Sequence, residues 1–420
     1  MQRALALIAE GALDGETDGV DALAARLGLG ERQLRRLFRK HLGATPIAVA
    51  QTRRVLFAKQ LLHETRLPMT EVALAAGFGS VRRFNHTFKR LFDRPPGALR
   101  HARGADPAPA GIALTLSHAL PYDWDAMLNF LATRAIPGVE DVAAGRYRRS
   151  IALDGSQGWI EVARHKRGDA LTAIIHFSSV KALPGIVARI RRVFDLAADI
   201  AAIAAHLAQD ARFKPLVTAR PGLRVPGAWD GFELAARAIL GQQITVGAAR
   251  GLAGKLVQRH GQRLAIAGAP AALTHVFPPP EALAGADIAA LGMPRSRAAA
   301  LAGLASEVAA DPGLFGASAD LDTAIARLRA LDGIGEWTAQ YIAMRAMREP
   351  DAFPAADIGL LRALADGDGK RPSPAELLRR AEAWRPWRAY AAIHLWAADA
   401  QPAPRPAAIS REAEDVHAAL

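Results

Sequence analysis

At 420 residues, with 51% apolar and 22% charged side chains, the chain is longer than one ordinary domain and has the composition of a globular protein able to bury cores. A net charge of +12 and a pI near 10.6 favour a polyanionic partner. The chain contains no cysteine, which excludes disulfides, Cys-ligated zinc, iron–sulfur clusters and thiol nucleophiles and points to a cytoplasmic setting. No apolar run approaches the roughly 18 residues that span a bilayer, and the N-terminal LALIAEGAL is too short and interrupted for a signal peptide, so no membrane partner is expected.

Residues 1–104 hold 18 Lys and Arg against 9 Asp and Glu, and so supply nine of the twelve net positive charges. An internal repeat near 50 residues underlies this block: Leu27 to Phe38, LGLGERQLRRLF, returns approximately as Ala76 to Phe88, AGFGSVRRFNHTF. Each copy reads as a short helix, a Gly-containing turn and a second helix. Helical periodicity turns Leu34, Leu37 and Phe38 inward in the first copy and Val81, Phe84, Phe88 and Leu91 inward in the second. It leaves Arg32, Arg35, Arg36 and Arg39 outside in the first, and Arg82, Arg83, Asn85, His86 and Lys89 outside in the second. Arginine-lined second helices suit a major groove. The block resembles the AraC-type DNA-binding domain, in which a linking helix, here about 47–63, sets two such units one groove apart.

Asp106 to Gly111, DPAPAG, reads as a linker. Beyond it, β-rich stretches at 112–120, 147–153, 159–164 and 171–177 alternate with turns, and helices are expected at 123–134 and 183–194. This is a small antiparallel sheet with two helices.

Phe232 to Ile239 form an apolar helix that ends at Gly241-Gln242-Gln243. Further on, Ile325, Leu328 and Leu331 recur at helical spacing, stop at Asp332-Gly333-Ile334-Gly335, and the pattern resumes with Trp337, Tyr341 and Met344. Glycines at both ends of the turn permit φ > 0 and close backbone approach, and the N–H groups there form a concavity for a phosphate oxygen. A Pro-bearing loop, 349–356, then delivers Asp357 to a further helix, 22 positions after Gly335. By itself Asp357 reads equally as a helix N-cap.

This pattern resembles the helix-hairpin-helix, Gly/Pro-rich loop, aspartate superfamily of DNA base-excision glycosylases. The likeness extends from about 114 to 400, through PYDWDAMLNFLATRAIPGVE, RPGLRVPGAWDGFELAARAILGQQITV, LGMPRSRA and WRPWRAYAAIHLW, and narrows to the AlkA-type 3-methyladenine DNA glycosylase II. Joined to an AraC-type block it resembles Ada-related fusion proteins. Those begin with a cysteine-based methyl-acceptor module; here either that function is absent or the sequence starts downstream of it.

The resemblance implies a mainly α fold: a double helix-turn-helix domain (1–104), a small α+β antiparallel-sheet domain (112–224), an all-α helix-hairpin-helix glycosylase domain (225–400) and a tail (401–420). It implies hydrolytic removal of 3-methyladenine and 7-methylguanine from duplex DNA, with Asp357 as the carboxylate that stabilises an oxocarbenium-like transition state. Trp337, Tyr341, Trp396 and Phe130 match positions lining the base pocket, although Phe130, or Trp337 with Tyr341, would serve equally as helical core. Gln242, Gln243, Gly333, Gly335 and Thr338 fall at the DNA, Gln243 at the tip that fills the vacated base site. Relatives that also cleave the backbone carry a lysine where this chain has Trp337, so no Schiff base and no lyase activity are expected. No cofactor is required; the family also implies Na+ or K+ on the carbonyls of Arg329, Leu331 and Gly333. A monomeric, nucleoid-associated bacterial-type protein is expected. The alternative is an AraC-type regulator with promoter DNA as partner, its glycosylase-like domain reduced to a sensor.

Overall fold

The computed structural model describes residues 1–14, 19–100, 111–316 and 320–400. Residues 106–110 of the expected linker and the tail at 401–420 lie outside the described residues. No helix among those described is long and apolar enough to cross a membrane.

The N-terminal block is helical. Val20–Arg26 and Glu31–Leu42 form the first helix-turn-helix unit, Met69–Ala75 and Val81–Phe92 the second, and Pro46–Glu64 joins them. Gly28 (φ 66°) and Gly77 (φ 80°) sit in the two turns, where only glycine adopts the left-handed backbone without strain. The linking helix starts at the Thr45 cap with proline in its first turn, both strong start signals. Leu34 and Phe38 are buried in the first unit, Phe84 and Phe88 in the second. Leu91, expected inside, is 53% exposed, and Thr87 is buried in its place. The inward ridge continues from Phe88 to Phe92, whose ring lies 5.3 Å from that of Phe88, and so follows the i+4 row of the helix instead of the i+3 row.

The middle domain is a five-stranded antiparallel sheet in the order β1 (Ile112–Ser117), β5 (Ala170–Phe177), β4 (Ser156–Arg164), β3 (Arg146–Leu153) and β2 (Glu140–Ala143). Strand β2 has no counterpart among the sequence expectations: four residues, two of them acidic, carry no alternation that periodicity detects. Trp124–Arg134 and Leu183–Val193 complete this domain.

The block at 1–104 is not an appendage. Ala58, Leu61, Val72 and Phe88 belong to one buried cluster with Leu114, Ile175, Leu183 and Ile186 of the sheet domain. The free edge of β1 is covered by the linking helix: Thr115 N donates to Glu64 Oε2 (2.7 Å), and Thr115 O accepts from Gln60 Nε2 (2.8 Å).

Residues 231–399 form the helical domain together with the helices Ile200–Leu207 and Phe213–Ala219, which pack into its core rather than into that of the sheet; the core is built on Phe213, Phe232, Leu256, Leu301, Leu328, Ile342, Leu360 and Leu395. Leu321–Arg329, starting at the Asp320 cap, and Glu336–Arg345 are the two helices of the hairpin. Gly333 has φ 77°, and a Cβ there would lie 2.4 Å from the Ala300 Cβ on the helix Arg295–Ala310. Gly335, expected to share that conformation, has φ −81° and open space around its Cα. Its small size matters to whatever approaches from outside. Gly333→Ala should therefore cost about 3 kcal/mol, from left-handed backbone plus forced contact, and Gly335→Ala under about 1 kcal/mol. Urea unfolding of both variants measures the difference, and equal midpoints would refute the close-packing account of Gly333.

Candidate active site

Asp357 caps the helix Ile358–Ala363: its Oδ1 accepts from Gly359 N (2.9 Å) and Leu360 N (3.2 Å). The same oxygen accepts from Trp396 Nε1 at 2.8 Å, and Oδ2 accepts from Trp337 Nε1 at 2.9 Å. Four N–H donors thus hold one half-buried carboxylate. These bonds fix the position and orientation of the carboxylate. Capping the helix leaves the carboxylate charge in place, so Asp357 can serve both as N-cap and as a charged group of the cavity.

Asp357, Trp337, Tyr341, Trp396 and Phe130 line one cavity of about 470 Å³, within the roughly 300–1,000 Å³ of small-molecule pockets. Trp337 and Tyr341 stack with centroids 5.1 Å apart and planes 10° from parallel, and Trp396 stands 6.4 Å from Tyr341 at 60°. Phe130 leaves the side of its helix that buries Trp124 and Met127 and faces the cavity, with the guanidiniums of Arg134 and Arg345 over its ring at 3.9 and 4.7 Å.

Sequence periodicity gave no sign of the arginines here. Arg345, inside a helix, donates to Tyr341 Oη (2.6 Å), Pro226 O (2.8 Å) and Gly227 O (3.2 Å). Burial would raise the Tyr341 hydroxyl pKa, but Arg345, Arg134 and Arg237 outweigh it and hold it below the ordinary tyrosine value. At the cavity's inner wall, Glu233 accepts from Arg149 (2.7 Å) and from Arg237, while Arg237 also reaches Glu140, to which Tyr147 donates (2.7 Å). Burial pushes the Glu233 carboxyl up; Arg149 and Arg237 prevail and bring it down to about 2. This network ties β2 and β3 to the helix Gly231–Leu240. The only sequence signal for it was charge within otherwise apolar segments.

At the cavity rim, Gln243 is exposed at φ 59° on the tip between two helices. Gln242 points elsewhere, its Nε2 donating to Gly333 O (2.8 Å) and Thr338 Oγ1 (3.3 Å), so its side chain is a strut between this tip and the hairpin. Thr338 is 3% exposed, its Oγ1 taken up by the bond from Gln242. On the N-terminal block Arg32, Arg36, Arg82 and Arg83 are exposed, whereas Arg35 is half-buried and donates to Glu31 at 2.8 Å.

Three family models match the chain: a helix-turn-helix domain over residues 23–102, the AlkA N-terminal domain over 113–230, and the HhH-GPD superfamily of base excision DNA repair proteins over 236–389. A Mycobacterium tuberculosis protein described as a probable bifunctional transcriptional activator/DNA repair enzyme AlkA is 39% identical over 399 residues, covering 94% of this chain and 79% of its own. The chain belongs to the AlkA family of DNA-3-methyladenine glycosylases. The Escherichia coli DNA-3-methyladenine glycosylase 2 is 37% identical over 289 residues, 67% of this chain and 96% of its own. In fold, the chain resembles the 3-methyladenine DNA-glycosylase of Archaeoglobus fulgidus, with a TM-score of 0.60 at 22% identity over 68% of this chain and 98% of that one. The family member described here thus combines a helix-turn-helix domain with a base-excision glycosylase domain.

Asp351, the aspartate within the Pro-bearing loop, is engaged elsewhere. It accepts from Arg388 Nε (2.8 Å) and Nη2 (3.0 Å) and pairs with Arg385, which fastens the loop to the last helix. Asp351→Asn should lower stability by about 1–3 kcal/mol, because the buried Arg388 then keeps only the carboxylate of Glu382, at 3.5 Å. Base release per folded molecule should persist at a temperature well below the transition. A folded Asp351→Asn protein that had lost base release would place Asp351 in the chemistry.

Proposed function

We propose that the chain flips an alkylated purine of the 3-methyladenine and 7-methylguanine class out of duplex DNA into the 470 Å³ cavity and hydrolyses its glycosidic bond. The observation that carries this is the Asp357 carboxylate, clamped by two indole N–H groups at the mouth of an aromatic cavity. As the C1′–N bond lengthens, positive charge develops on the sugar. A fixed carboxylate that need not reorganise stabilises it. Electron-rich faces of Trp337 and Tyr341 attract a cationic base by roughly 0.5–2 kcal/mol. Among the described residues, no lysine lines the cavity, which supports hydrolysis without a lyase step.

The exposed Gly335 and the first-turn N–H groups of Glu336–Arg345, which have no side-chain cap, suit a DNA phosphate, and Gln243 suits the gap left by the flipped base. No cofactor enters this chemistry. Leu331 O accepts one hydrogen bond from Ile334 N and Gly333 O one from Gln242, so each retains a lone pair with which, beside Arg329 O, to hold Na+ or K+. The reading is of a monomer acting at the nucleoid in the cytoplasm.

Asp357→Asn retains a capping oxygen but turns an amide N–H2 toward one indole, which loses its acceptor at about 1–2 kcal/mol of stability. Release of 3-methyladenine from methylated duplex should fall about 10²- to 10³-fold or more, with DNA binding kept. Near wild-type release by the folded variant would end the electrostatic role of Asp357.

The exposed guanidiniums of the second recognition helix support a further duplex contact, promoter DNA included. In the full-length protein, Arg82→Ala with Arg83→Ala should reduce the slope of log K against log salt by about 2. An unchanged slope would remove both from the interface. A regulator without excision would instead bind one promoter sequence and release no base.

A further inference from the structure

Six arginines line the cavity. Three are neutralised by carboxylates: Arg149 and Arg237 by Glu233 and Glu140, and Arg362, on the helix that Asp357 starts, by the bidentate clasp of Asp399 (3.0 and 2.7 Å). Arg345 is buried, and its three nitrogens are spent on Tyr341 Oη and on the carbonyls of Pro226 and Gly227. Arg134 and Arg250 are left, and neither has a carboxylate partner among the described residues.

These two stand together. Arg250 Nε donates to the carbonyl of Ala135 (2.8 Å), the residue that ends the helix Trp124–Arg134, and Arg134 is the last residue of that helix. The bond to Ala135 fixes the plane of the Arg250 guanidinium. That side chain is exposed, and its Nη1 and Nη2 meet no acceptor among the described residues. Arg134 is half-buried over the Phe130 ring, its Nη1 turned to Thr133 Oγ1 (2.9 Å) and Phe130 O (3.4 Å), while Nε and Nη2 find no acceptor among the described residues. Two neighbouring guanidiniums repel each other, and an anion with several acceptor oxygens relieves the repulsion while filling their unused donors. A phosphate has both properties, and its oxygens match the planar fork of arginine.

Their place in the fold says which phosphate. Gln242, just before the Gln243 tip, is joined to the hairpin, whereas Arg250 lies on the helix Val246–His260 that leaves the tip. A strand whose nucleotide turns into the cavity carries a phosphate on each side of that nucleotide, and the hairpin N–H groups suit only one of them. We propose that Arg250 and Arg134 form a second phosphate site at the edge of the cavity, which holds a backbone phosphate next to the nucleotide that enters. The strand is then gripped at two points, with the Gln243 tip between them in sequence. The inference rests on reading the cavity as the place that a flipped nucleotide enters. Arg362 offers no such grip, since Asp399 already occupies its fork.

The test uses the full-length protein and a duplex carrying one tetrahydrofuran residue, an abasic-site analogue with no base to release. The phosphates flanking that residue on its own strand are replaced one at a time by neutral methylphosphonates, and Kd is measured by fluorescence anisotropy. Wild type should lose about 10-fold in affinity at each phosphate that accepts charge-assisted hydrogen bonds. In Arg134→Gln with Arg250→Gln the unmodified duplex should bind at least about 10-fold more weakly. One methylphosphonate position should cease to matter in that variant, while the losses at the other positions remain. Partial misfolding weakens binding at every position alike, so the pattern of losses is the readout. Arg250→Gln alone should blunt the same position and no other. A double variant that keeps the wild-type pattern would overturn the proposal and leave the base-pocket reading intact. Wild-type protein that binds the tetrahydrofuran duplex no more tightly than an undamaged one would overturn both.

Discussion

The structure of the site depends on how one carboxylate is satisfied. Asp357 receives two backbone N–H groups from the helix it starts and one indole N–H from each of two helices remote in sequence. Each indole is thereby fixed in orientation: Trp337 stacks on Tyr341, and Trp396 closes the opposite side. Hydrogen bonds to an ionised acceptor are stronger than neutral ones, so the charge that the chemistry needs also organises the aromatic walls. Loss of that charge loosens the pocket as well as the electrostatics.

Around this centre the domains are joined by buried polar and apolar contacts. The Arg149–Glu233–Arg237–Glu140 network fastens the sheet domain to the helical domain at the cavity wall. Asp195 does the same farther out, accepting from Arg348 and from Tyr390 Oη (2.9 Å). At the other end the second helix-turn-helix unit shares its core with the sheet. The second helix-turn-helix unit is therefore packed onto the domain that supplies one wall of the cavity. Removing residues 1–104 would expose apolar core as well as delete charge, so charge substitutions separate the two effects better than truncation.

Local chemistry made the helix starts, the two glycine turns, the hairpin and the Pro-bearing loop legible in the sequence. Asp357, which reads as an N-cap, does cap the helix that follows it. Periodicity read Leu34, Phe38, Phe84 and Phe88 correctly as core and misread Leu91, because a helix's last turn is packed by whichever ridge its neighbour offers. The short edge strand β2 escaped notice since only its pairing with β3 makes it a strand.

The sequence by itself determined which residue types were available to the site, and at what spacing: the glycines of the hairpin, the aspartate at a helix start, and Trp337 where a lysine would have implied a second chemistry. Tertiary structure decided what each polar atom does. Gln242 became a strut and Thr338 a buried partner to it, Phe130 turned from the core to the cavity, and Arg345 came to rest on the Tyr341 hydroxyl. The physical reason is that backbone propensity and apolar periodicity act over a few residues, whereas a buried hydrogen-bonding group is assigned its role by the partners that desolvation obliges it to find: Gln242 reaches Gly333 and Thr338, 91 and 96 positions away, and Arg345, although only four positions from Tyr341, is set by Pro226, 119 positions away.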